Sequence, residues 1–168
     1  MPVKTPRELF VALLSDLRQG TEKATKFYQE ANQVADDPQI KQSLEARAMV
    51  SEGILSKIDQ CFKLMREKPV EFSGRLQEVF LEDFRTELSE IQSPVAKRLF
   101  VLAKLHHHTQ RKIGEYVALI AMSDVSGHHG VGMLLESCLG DKLAFVERTR
   151  RLLRHAAEAR LTERAAGA

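Results

Sequence analysis

Three times in this chain a helix-capping residue stands directly before a proline: Thr5-Pro6, Asp37-Pro38 and Ser93-Pro94. Nothing else in the sequence constrains the fold as strongly. Proline is accommodated at the first helical position because the N–H it lacks would be unpaired there in any case. The oxygen of the preceding side chain can then accept from the amides left over at that end. After Thr5, Glu8 completes a Thr-x-x-Glu capping box. Each pair marks a helix start, and each is followed by apolar residues at spacings of three and four.

The first helix is predicted from about Pro6 to Ala35, with a stripe of Phe10, Leu13, Leu14, Leu17, Thr21, Ala24, Phe27, Tyr28 and Ala31. The second runs from about Pro38 to Arg66 through Ile40, Leu44, Ala48, Leu55, Ile58 and Phe62. The chain breaks near Lys68-Pro69, and a shorter helix, about Ser73 to Ile91, carries Leu76, Val79, Phe80, Phe84 and Leu88. A fourth spans about Pro94 to Ser123, with Leu99, Leu102, His106, Thr109, Ile113, Tyr116 and Ile120. After the turn "SDVSGHHG" the last helix reaches about Arg160, with Leu134, Leu135, Cys138, Phe145, Leu152 and Leu153 inward.

No stretch has the alternation of a strand, and no linker or low-complexity tract divides the chain. Four helices have about 29 to 35 residues, or roughly 44 to 52 Å at 1.5 Å per residue. The connections after the first and fourth are short, so each joins antiparallel neighbours. The third helix separates the two hairpins, where a ferritin-like bundle has its long crossover. The expected architecture is all-α: one domain over 1–168, a four-helix bundle of two antiparallel hairpins with an extra bridging helix, and a frayed tail over about 161–168.

Composition narrows the function classes. The chain has 168 residues, 43% hydrophobic and 29% charged, and its 25 basic and 23 acidic residues leave a formal charge of +2. So small a surplus creates no field that would favour nucleic acid or an anionic membrane. No run approaches the ~20 apolar residues of a membrane span, and "MPVKTPRELF" has no apolar signal segment. Cys61 and Cys138 form no disulfide framework and read as buried thiols in a reducing compartment. A cytoplasmic protein is expected.

The segments "ELFVALLSDL" at 8–17, "GILSKIDQCF" at 53–62, "LQEVFLEDF" at 76–84 and "MLLESCL" at 133–139 together resemble the YciE/YciF-type family of ferritin-like bacterial stress proteins. The order and lengths of the five helices fit that family across nearly the whole chain. The resemblance implies a homodimeric, cytoplasmic five-helix protein related to di-iron carboxylate proteins.

A di-iron bundle needs inward glutamates from two helices and Glu-x-x-His, or a carboxylate variant, from the other two. The residues three before His106, His107, His108, His128, His129 and His155 are Ala103, Lys104, Leu105, Val125, Ser126 and Leu152, so Glu-x-x-His is absent. By the resemblance, the helix-one glutamate falls on Thr21, the helix-two pair on Met49 and Glu52, and the helix-four carboxylates on His106 and Thr109. The acidic run of helix five falls on Ser137, Gly140, Asp141 and Lys142. Only Glu52, His106 and Asp141 keep ligand chemistry, too few for a dinuclear centre. No cofactor is therefore expected. Iron or another transition metal held by those three residues is the alternative.

The run "LHHHT" does not change this, because consecutive helical residues point about 100° apart. His106 lies on the apolar stripe and is expected to face Glu52 or Asp141 across the core, with His107 and His108 on the flank or surface. "SGHHGVG" at 126–132 follows no strand and matches no phosphate-binding spacing, so it reads as a turn and helix start. Arg148, Arg150, Arg151, Arg154, Arg160 and Arg164 interleave with Glu147, Glu158 and Glu163, which reads as a solvated helix face. The leading expectation is a non-enzymatic bundle with a decayed metal site, acting through protein or self-association. The alternatives are a metal-binding stress protein, and a regulator touching nucleic acid or protein through the basic last helix.

Overall fold

The computed structural model describes residues 3–71 and 75–166, the last eight of these by backbone alone. Five helices form: α1 (Pro6–Val34), α2 (Pro38–Met65), α3 (Arg75–Glu90), α4 (Pro94–Val125) and α5 (His129–Ala166). Among the described residues there is no strand. The expected start of the third helix, Ser73, lies outside the described residues, as do the side chains of Arg160, Glu163 and Arg164. The backbone of α5 continues to Ala166, past the expected end near Arg160.

All three cap–proline pairs act as their chemistry requires. Thr5 Oγ1 accepts from the amide of Glu8 at 3.1 Å, and Glu8 Oε2 accepts from the amide of Thr5 at 3.1 Å. Asp37 Oδ1 accepts from the amides of Gln39 and Ile40, and Ser93 Oγ accepts from that of Ala96. At the other end of α2, Arg66 adopts a left-handed φ of 56° and its amide bonds back to Lys63 and Phe62. Gly127, with φ of 71°, makes the turn from α4 into α5.

Long-range pairs fix the direction of each helix. Arg7 meets Glu67 at one end of the α1–α2 hairpin, and Arg98 reaches Asp36 and Asp37 at the other. Lys23 pairs with Glu78 and Glu30 with Arg85, so α3 climbs alongside α1 in the same direction. That climb returns the chain to the far end, from which α4 descends and α5 rises. α2 packs on α5 and α1 on α4, which closes the four-helix ring, while α3 lies across α1 and α4. The segment before α3 is held by Ser15, whose Oγ accepts from the amide of Val70 and donates to the carbonyl of Val11.

Two apolar cores stack along the bundle axis. One contains Phe10, Leu14 and Leu17 with Ile54, Ile58, Cys61, Tyr116, Leu119, Leu135 and Cys138. The other gathers Phe27, Tyr28 and Ala31 with Ile40, Leu44, Phe84, Leu102, Leu105 and Phe145. Burying each large aliphatic or phenyl side chain contributes about 1.5–3 kcal/mol. The stripe predicted for α1 is the buried one. Two others are turned: α3 buries Gln77, Leu81 and Phe84 and leaves Leu76 exposed, whereas α4 buries His108 and Lys112. His106 is only half-buried, so the inward histidine of the triplet is His108. The α4 stripe is led astray because its inward positions at mid-helix are polar.

Candidate functional site

Between the two apolar cores each long helix turns polar at the same level. In α1, Gly20 and Thr21 interrupt the run between Leu17 and Ala24; in α2, Arg47 and Ser51 lie between Leu44 and Ile54. In α4, His108, Thr109 and Lys112 lie between Leu105 and Tyr116, and in α5 Lys142 lies between Cys138 and Phe145. Every one of these side chains is buried, so the bundle carries an internal polar layer with three cationic side chains from three helices.

The hydroxyls of this layer use their protons within their own helices. Thr21 Oγ1 donates to the carbonyl of Leu17, Thr109 Oγ1 to that of Leu105 and Ser51 Oγ to that of Arg47. Lys112 Nζ donates to Glu115 Oε2 at 2.7 Å and lies against the backbone of α1 at Gly20. A Cβ there would stand 3.2 Å from Lys112 Cε and nearer still to Nζ, so the missing side chain is what admits the ammonium. Glu115 is shared with Arg111, which also donates to the buried Gln77 of α3. Arg47 lies over aromatic faces, its guanidinium carbon 5.1 Å from the Phe145 centroid and 5.7 Å from that of Tyr28. Its Nε donates to Tyr28 Oη at 3.4 Å.

Of the three cations, Lys112 alone has a carboxylate partner among the described residues. Burial, and then the charges of Arg47 and Lys112, hold the Lys142 ammonium well below the usual lysine range. Burial also lowers Lys112, against the opposing pull of Glu115. His108 is enclosed by Phe27, Tyr28 and Phe80, with ring centroids 5.2–6.1 Å away. Burial and the nearby charges of Lys142, Lys112, Arg111 and Arg47 push its imidazole far below the ordinary value, so it is neutral at neutral pH. Neither ring nitrogen has a hydrogen-bond partner among the described residues, nor do Arg47 Nη2 and Tyr116 Oη. Tyr116 Oη lies beside Thr21 without a well-formed bond, and burial raises its phenol above the normal range.

This is the reverse of what a cation needs. Metal ligands in a bundle core are carboxylates and neutral imidazoles that offset the ion's charge. Here the carboxylate that bonds to the layer, Glu115, is already committed to Lys112 and Arg111. Among the described residues no three His, Cys, Asp or Glu side chains are grouped to hold a metal. Glu52 is exposed, His106 half-buried, and Asp141 pairs with Lys57 at 3.2 Å. Thr21, Thr109 and Lys142, placed by resemblance at ligand positions, do lie in the layer. Met49 and Glu52 do not, because α2 turns Arg47 and Ser51 inward at that level.

Sequence reasoning therefore missed Arg47, His108 and Lys112 and treated Lys142 only as a lost ligand. The signal that could have found them is the gap in the apolar stripe, at matching depth, on all four long helices. The two thiols behave as expected of buried cysteines: burial pushes Cys61 up to about 12 and Cys138 up to about 11. No helix among the described residues is long and apolar enough to cross a membrane.

The architecture recurs in solved structures. The Escherichia coli stress protein YciF superposes with a TM-score of 0.87 at 18% identity, over 93% of this chain and 99% of that one. YcfI of Rhodopseudomonas palustris gives 0.85 at 19% identity, over 88% and 94%. A protein of Xanthomonas campestris pv. campestris gives 0.73 at 14% identity, over 96% and 99%. No curated protein matches the sequence. The family described as a domain of unknown function, DUF892, matches residues 5–166. With a family match over nearly its full length, the chain belongs to the DUF892 family, and its five-helix fold is that of the YciF structure.

Proposed function

We propose that this protein is a non-enzymatic, stress-associated bundle of the cytoplasm that works through association with a second copy or a protein partner, its metal centre lost to a cationic layer. The observation that carries the reading is the placement of Arg47, Lys112 and Lys142 on three helices at one level of the core. A divalent ion there would meet like charge in a medium of low dielectric, where repulsion is strong. The description of the E. coli relative as a stress protein supports the physiological setting.

The test is elemental analysis of full-length protein expressed with iron, manganese and zinc supplements, together with light scattering. The reading expects far less than one metal ion per chain and a dimer. Stoichiometric metal would overturn it, and metal lost on His106→Ala would assign a rearranged centre to Glu52, His106 and Asp141. A monomer at every concentration, with no protein partner recovered, would remove the association role.

A further inference from the structure

We infer that α3 is a proton-controlled latch, which leaves the groove between α1 and α4 when His108 takes up a proton and seats again when the proton is lost. His108 is buried, yet its cover on the α3 side is a single ring. That ring is Phe80, whose centroid lies 5.2 Å from the imidazole and which is itself only half-buried. The walls on the α1 side are Phe27 and Tyr28, both buried. Of the 16 residues of α3, Gln77, Leu81 and Phe84 are the buried ones. At its rim it is tied by the pairs Lys23–Glu78, Glu30–Arg85 and Lys104–Glu87, each with an exposed partner. Exposed pairs of this kind add little stability, and shallowly seated elements are the first to open.

The closed state cannot accommodate a proton on His108. Neither ring nitrogen has a hydrogen-bond partner among the described residues. The charged groups that bear on the ring are Lys142 of α5, Lys112 and Arg111 of its own helix, and Arg47 of α2, and all of them oppose the proton. From α1 and α3 it meets the rings of Phe27, Tyr28 and Phe80. An imidazolium there would be a buried charge without an acceptor, which is strongly destabilising. Lifting α3 gives the ring to water without parting the two hairpins. Phe84, seated against Phe27 and Phe100, leaves with α3, so the open groove presents those two rings beside a charged imidazole. The carboxylates that tie α3 respond only at lower pH. Hydrogen bonds from Lys23 and Arg85 hold Glu78 and Glu30 below their ordinary value, so both stay ionised while His108 responds.

The test is hydrogen–deuterium exchange of the full chain, read by mass spectrometry between about pH 7 and about pH 5 and corrected for the intrinsic pH dependence of amide exchange. With α3 open, His108 protonates near pH ~6.5, so each opening takes up one proton and the opening constant rises about tenfold per pH unit below that value. Over the whole interval α3 exchange should quicken about 25-fold, while the amides of α1 and α4 stay slower than those of α3. In His108→Phe the opening of α3 should no longer depend on pH in this range. The latch is refuted if α3 amides open only together with those of α1 and α4, if their opening in the parent is independent of pH, or if the pH dependence persists in His108→Phe. Should that variant not fold, Phe80→Leu in histidine-labelled protein decides it. Thinning the cover should raise the His108 titration, followed by NMR, toward its ordinary value, and an unmoved titration refutes the latch.

Discussion

Gly20→Ala probes the layer from its most confined point. In a mid-helix position this change ordinarily stabilises by roughly 0.5–1 kcal/mol, because alanine loses less backbone freedom than glycine. Here the new methyl would overlap Lys112 Nζ and crowd Cε at 3.2 Å. Lys112 is 2% exposed and has no solvent to retreat into. To clear the methyl its ammonium must shift, which strains the 2.7 Å charge-assisted bond to Glu115. Such a bond is worth about 1.5–3 kcal/mol, and overpacking a filled core adds about 1–3 kcal/mol. The cost exceeds the helical gain, so the net expectation is destabilisation by about 2 kcal/mol or more. In a chain of this length that lowers the melting temperature by about 4–8 °C. Urea denaturation followed by circular dichroism measures it directly. Lys112→Met supplies the control: with the ammonium gone, Gly20→Ala should recover about 1 kcal/mol or more as coupling. If Gly20→Ala is as stable as its parent, Lys112 is not wedged against α1 and the reasoning fails.

Two further outcomes follow from burial. His108 is held neutral well below its ordinary value, while the unfolded chain protonates near pH ~6.5. The unfolded state therefore binds the extra proton first, and stability should fall by about 1.4 kcal/mol per pH unit as acidity increases below that value. His108→Phe should reduce the slope of stability against pH by this amount; denaturation curves at several pH values compare the two proteins. For Cys61 and Cys138, buried and raised to about 12 and about 11, alkylation in native buffer should be about a thousandfold or more slower than in urea. Rapid native labelling, followed by mass spectrometry, would contradict the packing around Ile58 and Leu135.

The boundaries of the fold were legible because they are written in local chemistry. Thr5, Asp37 and Ser93 each act on amides two or three residues away, so no tertiary information was needed to place three helix starts. The α1 stripe was equally readable, since its inward residues are almost all apolar. The α4 face was not. Between Leu105 and Tyr116 its buried residues are His108, Thr109 and Lys112, and the neighbouring Ile113 is only half-buried. A reading based on hydrophobicity follows the isoleucine and turns the helix away from its true face. What makes Lys112 an inward residue is a glycine on another helix, a fact that no single-helix pattern contains. Met49 likewise seemed a ligand position by resemblance, yet it is 77% exposed because Arg47 takes the inward place on α2.

The separation of the core into two apolar halves also bears on how uniquely the helices are aligned. A continuous greasy seam would tolerate sliding of one hairpin along the other by a helical turn, about 5.4 Å, with little change in buried area. Here such a slip would drive Lys142 or Arg47 among Phe27, Leu44 and Leu102, or among Leu14 and Ile58. Isolated charge in those surroundings costs several kcal/mol, far more than a slipped seam could regain. The mid-bundle cations thus act as an axial ruler: they weaken the core where they sit and leave the two hairpins one position in which to meet.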